Sequence, residues 1–158
     1  MKILKLTTIL LLSGCATSYA PKSFWNDGGF SETEIQPNLW QVRFSGNEFS
    51  TAEQTSDFAM LRASEICLGR NMKFIAFGDI ATNIIDSGYV PGSTYTTTNA
   101  SISDSGRISG TSQSFTTMGV QLYSPETGLT MTCLDQNLDG AWDGEFLAKS
   151  LKTKYKIP

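Results

Sequence analysis

Apolar and polar residues alternate through Leu39-Trp40-Gln41-Val42-Arg43-Phe44, with Trp40, Val42 and Phe44 on one side and Gln41 and Arg43 on the other. A period of two marks a strand with one face buried. Gly46-Asn47 ends it with turn chemistry. The period then changes. Ala52, Ala59, Met60, Ala63, Ile66 and Cys67 recur at helical spacing, which predicts a helix over 51–68. Ser50 and Glu53 form an S-x-x-E capping box at its start, and Gly69 offers a stop. Small residues along that stripe let the helix lie close to a sheet.

Lys73–Ile80 reads as a second strand around Phe74, Ile75 and Phe77, with Ile84-Ile85 extending it. Over 87–117 the composition turns to Ser, Thr and Gly. Such a stretch is either a flexible loop or a long β-hairpin with a small-residue tip. Strands at its two ends and a mobile centre fit the pattern best. Met118–Tyr123 alternates again, Ser124–Gly128 reads as a turn around Pro125, and Leu129–Leu134 is a further strand carrying Cys133. Asp-Gly turns lead to a last helix over 142–153, with Trp142, Phe146, Leu147 and Leu151 as its inner face. Acidic Asp143 and Glu145 at its start and lysines at its end suit the helix dipole. The pattern predicts one α+β domain over 29–158. An antiparallel sheet of four or five strands is packed by one main helix, with the C-terminal helix alongside.

The first residues follow a different logic. Lys2 and Lys5 precede an apolar run from Leu6 to Leu12, broken by Thr7 and Thr8, and Leu12-Ser13-Gly14-Cys15 follows. A basic start, a short apolar core and small residues at a cut site make a secretory signal. The core is far shorter than the roughly 20 residues a membrane-spanning helix needs. Leu-Ser-Gly-Cys resembles the lipobox of bacterial lipoproteins. That resemblance implies cleavage of 1–14 and lipid on Cys15, with several acyl chains holding the chain firmly on a membrane. Ala16, where an Asp would imply retention at the inner membrane, implies the outer membrane of a Gram-negative cell, periplasmic face. Residues 15–28 read as the lipidated cysteine and a polar tether, with Phe24 and Trp25 as docking points.

Composition narrows the chemistry. The 158 residues carry a formal charge of −3, and removal of Lys2 and Lys5 makes the remainder more acidic. No basic patch for nucleic acid is visible. Lys149, Lys152, Lys154 and Lys156 cluster at the end, as a charged helix terminus would. The chain has no histidine, which removes Ser-His-Asp and Cys-His mechanisms and the common His metal sites. With Cys15 spent on the anchor, Cys67 and Cys133 remain, and in an oxidising periplasm they most simply form one disulfide. Two buried free thiols are the alternative. A disulfide would pin helix to sheet and contribute roughly 4 kcal/mol in the chain-entropy account.

Three stretches carry candidate chemistry. Asp135, Asn137, Asp139, Gly140, Asp143 and Glu145 resemble the start of a calcium loop of the EF-hand type. Position 12 of that loop holds Phe146 instead of a bidentate Glu, and a strand precedes it, so helix capping by its aspartates is the competing reading. Arg62 and Glu65 stand at i and i+3, as a partner contact or as a surface ion pair worth a few tenths of a kcal/mol. The stretch Tyr89–Thr117 offers contact with polysaccharide or an envelope protein, against a solvated loop.

Gly29-Phe30-Ser31-Glu32, Trp40-x-Val42-x-Phe44-x-Gly46-Asn47 and Arg62-Ala63-Ser64-Glu65 resemble a family of small proteobacterial lipoproteins of uncharacterised function. Its members show G-Y-S-E, V-x-F-x-G-N and R-A-A-E at similar spacings. Here Phe30 replaces Tyr and Ser64 replaces Ala. The match covers about a quarter of the chain and transfers no catalytic residue. The expectation is therefore a membrane-anchored, non-enzymatic lipoprotein with a structural or interaction role in the envelope, with no cofactor. A calcium-binding module and a redox sensor using Cys67 and Cys133 stand as alternatives.

Overall fold

The computed structural model describes residues 16–25, 28–102 and 108–158. The leader, Cys15 and the centre of the Ser/Thr/Gly-rich stretch, 103–107, lie outside them. The chain forms two compact units: one from the chain up to Ile84 with Ser124–Pro158, the other from Ile85–Tyr123. Among the described residues no helix is long and apolar enough to cross a membrane.

The first unit has the expected α+β architecture. Its antiparallel sheet has five strands in the order β1-β2-β6-β3-β7. These are β1 (Gly29–Gln36), β2 (Leu39–Ser45), β3 (Phe74–Val90), β6 (Val120–Leu134) and β7 (Trp142–Asp143). β1 and β2 form a hairpin, with Phe30 opposite Phe44 and Glu34 opposite Trp40. β2 then pairs along β6, with Val42 opposite Leu129 and Trp40 opposite Met131. Two helices complete the unit: α1 (Ala52–Gly69) and α2 (Gly144–Tyr155).

Alternation decides which sheet face is covered. Val42, Phe44, Leu129, Met131 and Cys133 are buried with Phe58, Ala59, Ala63 and Cys67 of α1. Gln41, Arg43 and Thr130 line a shallow open groove on the other face, which stays solvated as one face of an antiparallel sheet often does. On its far side α1 packs on α2 through Leu61, Ala148 and Leu151. Burial on two sides explains why α1 lacks a clean apolar stripe: Thr55, Asp57 and Ser64 are buried with its apolar residues.

The disulfide joins Cys67 to Cys133, 66 positions apart, and ties α1 to β6. Four details depart from the sequence expectation. Ser124–Gly128 is no turn, because β6 runs unbroken from Val120 to Leu134. The last β2 partner on β6 is Glu126, so Pro125 lies just past that pairing and its missing N–H removes no bond to β2. Thr51, not Ser50, caps α1, accepting from the Gln54 amide. Finally, α2 starts at Gly144, and Trp142 and Phe146 are exposed while Ala148 and Leu151 face inward.

The second unit contains the end of β3 from Ile85 and the start of β6 to Tyr123, with β4 (Thr94–Ile102) and β5 (Ile108–Thr116) as a two-stranded antiparallel ribbon. Hydroxyls pair across it, Thr94 with Thr116 at 3.0 Å and Thr96 with Ser114 at 2.9 Å. The expected strands at the two ends of the Ser/Thr/Gly-rich stretch are thus present.

Candidate functional site

The residues just after Cys15 are held by the domain. Pro21 forms a parallel bridge to Phe30. The Lys22 amide donates to the Phe30 carbonyl at 2.8 Å, and the Phe30 amide donates to Ala20 at 2.9 Å. Gly29 makes this approach possible. Its φ is +122°, and a Cβ there would lie 2.5 Å from the Ala20 carbonyl oxygen. Upstream, the Thr17 amide donates to Asn47 Oδ1 at 3.3 Å and to Ser50 Oγ at 3.2 Å. Asn47 and Ser50 also bond each other, at 2.9 Å. This strap, 16–22, lies within the stretch that reads as a tether in the sequence. Its docking residues are Thr17, which is buried, and Tyr19, whereas Phe24 and Trp25 are almost fully exposed.

Tyr19 connects the strap to a charged cluster. Its ring meets Phe30 at 5.0 Å and Phe58 at 5.4 Å between centroids. Its hydroxyl donates to Glu65 Oε2 at 2.6 Å. Glu65 also pairs with Lys152 of α2 at 3.0 Å and with Arg62 at 3.6 Å. Arg62 reaches Glu32 of β1 at 2.5 Å, and its guanidinium lies 4.4 Å above the Phe30 ring. Burial, then the hydrogen bond to Glu65, pushes the Tyr19 phenol well above its ordinary range. Burial works against the charge on Arg62, but the bond to Glu32 and its charge outweigh that and raise the pKa.

Arg62 and Glu65 therefore do more than pair along one helix. They join β1, the strap and α2, and the three motifs singled out in the sequence meet here. Gly29, Phe30 and Glu32 form one wall; Gly46-Asn47 holds Thr17; Arg62 and Glu65 close the cluster. Tyr19 and Lys152 are the members that sequence reasoning missed. Neither lies in a motif, and Tyr19 sits in a stretch whose composition reads as linker. A second cluster fastens α2 to α1: Lys154 bonds Asp57 at 2.6 Å and pairs with Glu53, and the Tyr155 hydroxyl donates to Asp57 at 2.7 Å. Burial first, then Asp57, pushes the Tyr155 phenol up to about 12.

The acidic run does not assemble as a cation site. Among the described residues no three His, Cys, Asp or Glu side chains converge to hold a metal. Residues 135–140 are exposed, including Asp135, Asn137 and Asp139. Asp143 accepts from the Phe146 amide at 2.9 Å as the cap of α2, with Glu145 in the first turn. Asp143 thus takes the helix-capping role that competes with the calcium reading. Cys67 and Cys133 are buried, packed against Met131 in the core.

An open groove of about 720 Å³ lies beside the cluster, lined by Glu65, Leu68, Ala148, Lys149, Lys152 and Ile157 among others. Of its lysines, Lys152 is engaged by Glu65. Comparison with known proteins finds no match to a family model, a curated protein or a solved structure.

Proposed function

We propose that the chain is a bacterial lipoprotein, anchored through Cys15 at the periplasmic face of the outer membrane, whose domain holds a non-enzymatic interaction role in the envelope. The anchor is supported by the order of basic, apolar and small residues that ends in Leu12-Ser13-Gly14-Cys15. The observation that carries the interaction role is the second unit. Its ribbon has only two strands, and a two-stranded hairpin is marginal in water on its own. Yet it exposes Tyr95 and Phe115, paired directly across the strands, and both are about two-thirds exposed. Large apolar side chains in such a setting mark a surface that another molecule covers. An envelope protein is the partner that fits, because strand edges and aromatic pairs are recognised by β-pairing and apolar contact.

One experiment tests both halves. The full chain is produced in Gram-negative cells with a photoreactive phenylalanine at Tyr95 or Phe115, and with a control at exposed Lys149. Mass spectrometry reads the acyl chains on Cys15. We expect diacyl or triacyl Cys15, its loss in Cys15→Ala together with membrane retention, and discrete protein adducts from Tyr95 and Phe115 but not from Lys149. An unmodified Cys15 would overturn the anchor, and equal adducts at all three positions would overturn the ribbon as the contact.

A further inference from the structure

The strap limits how far the domain can stand from its anchor. Cys15 is two residues ahead of Thr17, so the two Cα atoms are separated by at most about 7 Å of chain. Thr17 is buried and bonded to Asn47 and Ser50. A lipid on Cys15 therefore brings the membrane to this edge of the first unit.

What lies at that edge is aromatic. The Phe49 amide donates to Asn47 Oδ1 at 3.1 Å, the same oxygen that accepts from the Thr17 amide, so residue 49 stands beside residue 17. A Cβ at Gly28 would fall 2.8 Å from Thr17 Cγ2, so the chain returns to Thr17 at position 28. Trp25 is three residues from Gly28, no more than about 11 Å of extended chain. Phe24 and Trp25 stack edge to face at 5.3 Å and are 93% and 89% exposed, and Phe49 is 60% exposed. None of the three contributes to the buried core or packs against it. Aromatic side chains of this kind settle at the boundary between headgroups and acyl chains.

We infer that the domain sits directly on the bilayer, with Phe24, Trp25 and Phe49 inserted into the phospholipid interface beside the lipid on Cys15. The inference rests on the anchor reading and adds an orientation to it. The charged residues next to these aromatics in the sequence, Lys22, Asp27 and Glu48, form no basic cluster, so the contact is apolar and is not driven by attraction to anionic headgroups.

The test uses the full lipidated chain in vesicles of phosphatidylethanolamine and phosphatidylglycerol. Trp40→Phe with Trp142→Phe leaves Trp25 as the one reporter; if that variant does not fold, the difference between wild type and Trp25→Phe gives the same signal. We expect Trp25 emission shifted to the blue, quenched by lipids brominated near the headgroup, shielded from iodide, and unchanged by salt. Phe24→Ser with Phe49→Ser should reverse the quenching while the protein stays vesicle-bound. Acylated, vesicle-bound protein whose Trp25 remains open to iodide would overturn the seating alone. Protein whose Cys15 carries no acyl chain by mass would overturn the anchor and the seating with it.

Discussion

Single residues at the strap carry more than their surface positions suggest. Gly29 has a positive φ and no room for a Cβ, so Gly29→Ala must bend the chain or push the strap away. We expect a cost of about 1–3 kcal/mol in denaturant unfolding, with new proteolysis near Pro21. Arg62→Ala removes a pair to Glu32, a pair to Glu65 and the contact over Phe30. Its side chain is about one-quarter exposed, which screens each ion pair, so the loss should be about 1–2 kcal/mol rather than that of a buried pair. Arg62→Lys should recover only part of this, because an ammonium has neither the planar face that lies over Phe30 nor the spread of donors that spans Glu32 and Glu65. Tyr155 adds a pH dependence. Its folded pKa lies above the ordinary 10.0, so the unfolded chain loses this proton first. Stability is intact below pH 10 and declines from there toward about 12. Tyr155→Phe should lessen that decline, with Tyr19 still contributing to it, as read by unfolding midpoints across the alkaline range. Arg62 and Glu65 were visible in the sequence as a pair, but their partners were not. Glu32, Tyr19 and Lys152 come from three separate segments, and only tertiary packing brings them together.

At the scale of elements, legibility followed burial. β2 was readable because Val42 and Phe44 are buried while Arg43 is exposed. β1 was not, since Ser31, Thr33 and Glu34 are exposed on an edge strand and leave no apolar period to detect. Pro125 misled for a related reason: it reads as a turn residue unless the end of the β2 pairing is known. α2 shows how caps decide register. Asp143 bonds the Phe146 amide, which starts the helix late and turns Phe146 outward. Asp143→Ala should therefore cost about 1 kcal/mol of stability, and Asp139→Ala close to none, in matched urea titrations with and without calcium. A calcium-dependent rise lost in Asp139→Ala would restore the cation loop. The disulfide was legible from the cysteine count joined to the expected oxidising compartment, and both cysteines are buried. Replacing Cys67 and Cys133 together with Ala should cost about 3–4 kcal/mol, most of it through the freed unfolded chain. In the intact fold, thiol labelling after mild reductant should be slow, because attack needs access to a buried sulfur.

For the molecule as a whole, the proposed anchoring and interaction roles fall on different units. Every buried apolar residue among those described belongs to the first unit, from Phe30 through Leu151. The second unit, Ile85–Tyr123, contributes none of them and exposes Tyr89, Tyr95, Phe115, Met118 and Tyr123. The low-complexity composition of 87–117 was legible as unusual, yet its ribbon rests on Ser and Thr hydroxyl pairs that no apolar pattern announces. Thr82 of β3 bonds Thr127 of β6 at 2.7 Å, so the two strands lie side by side where the first unit ends. We expect that residues 85–123 can be replaced by an Asn-Gly turn, which suits a tight hairpin. The shortened chain should fold, with far-ultraviolet dichroism of an α+β protein and an unfolding midpoint close to that of the parent. It should keep its acyl chains and the membrane seating of Trp25, since the strap, Asn47 and Phe49 all lie in the first unit. Adducts between the full chain and its envelope partner should no longer be competed by the shortened chain. A shortened chain that unfolds would mean that the ribbon stabilises the core, and one that still competes would place the partner on the first unit.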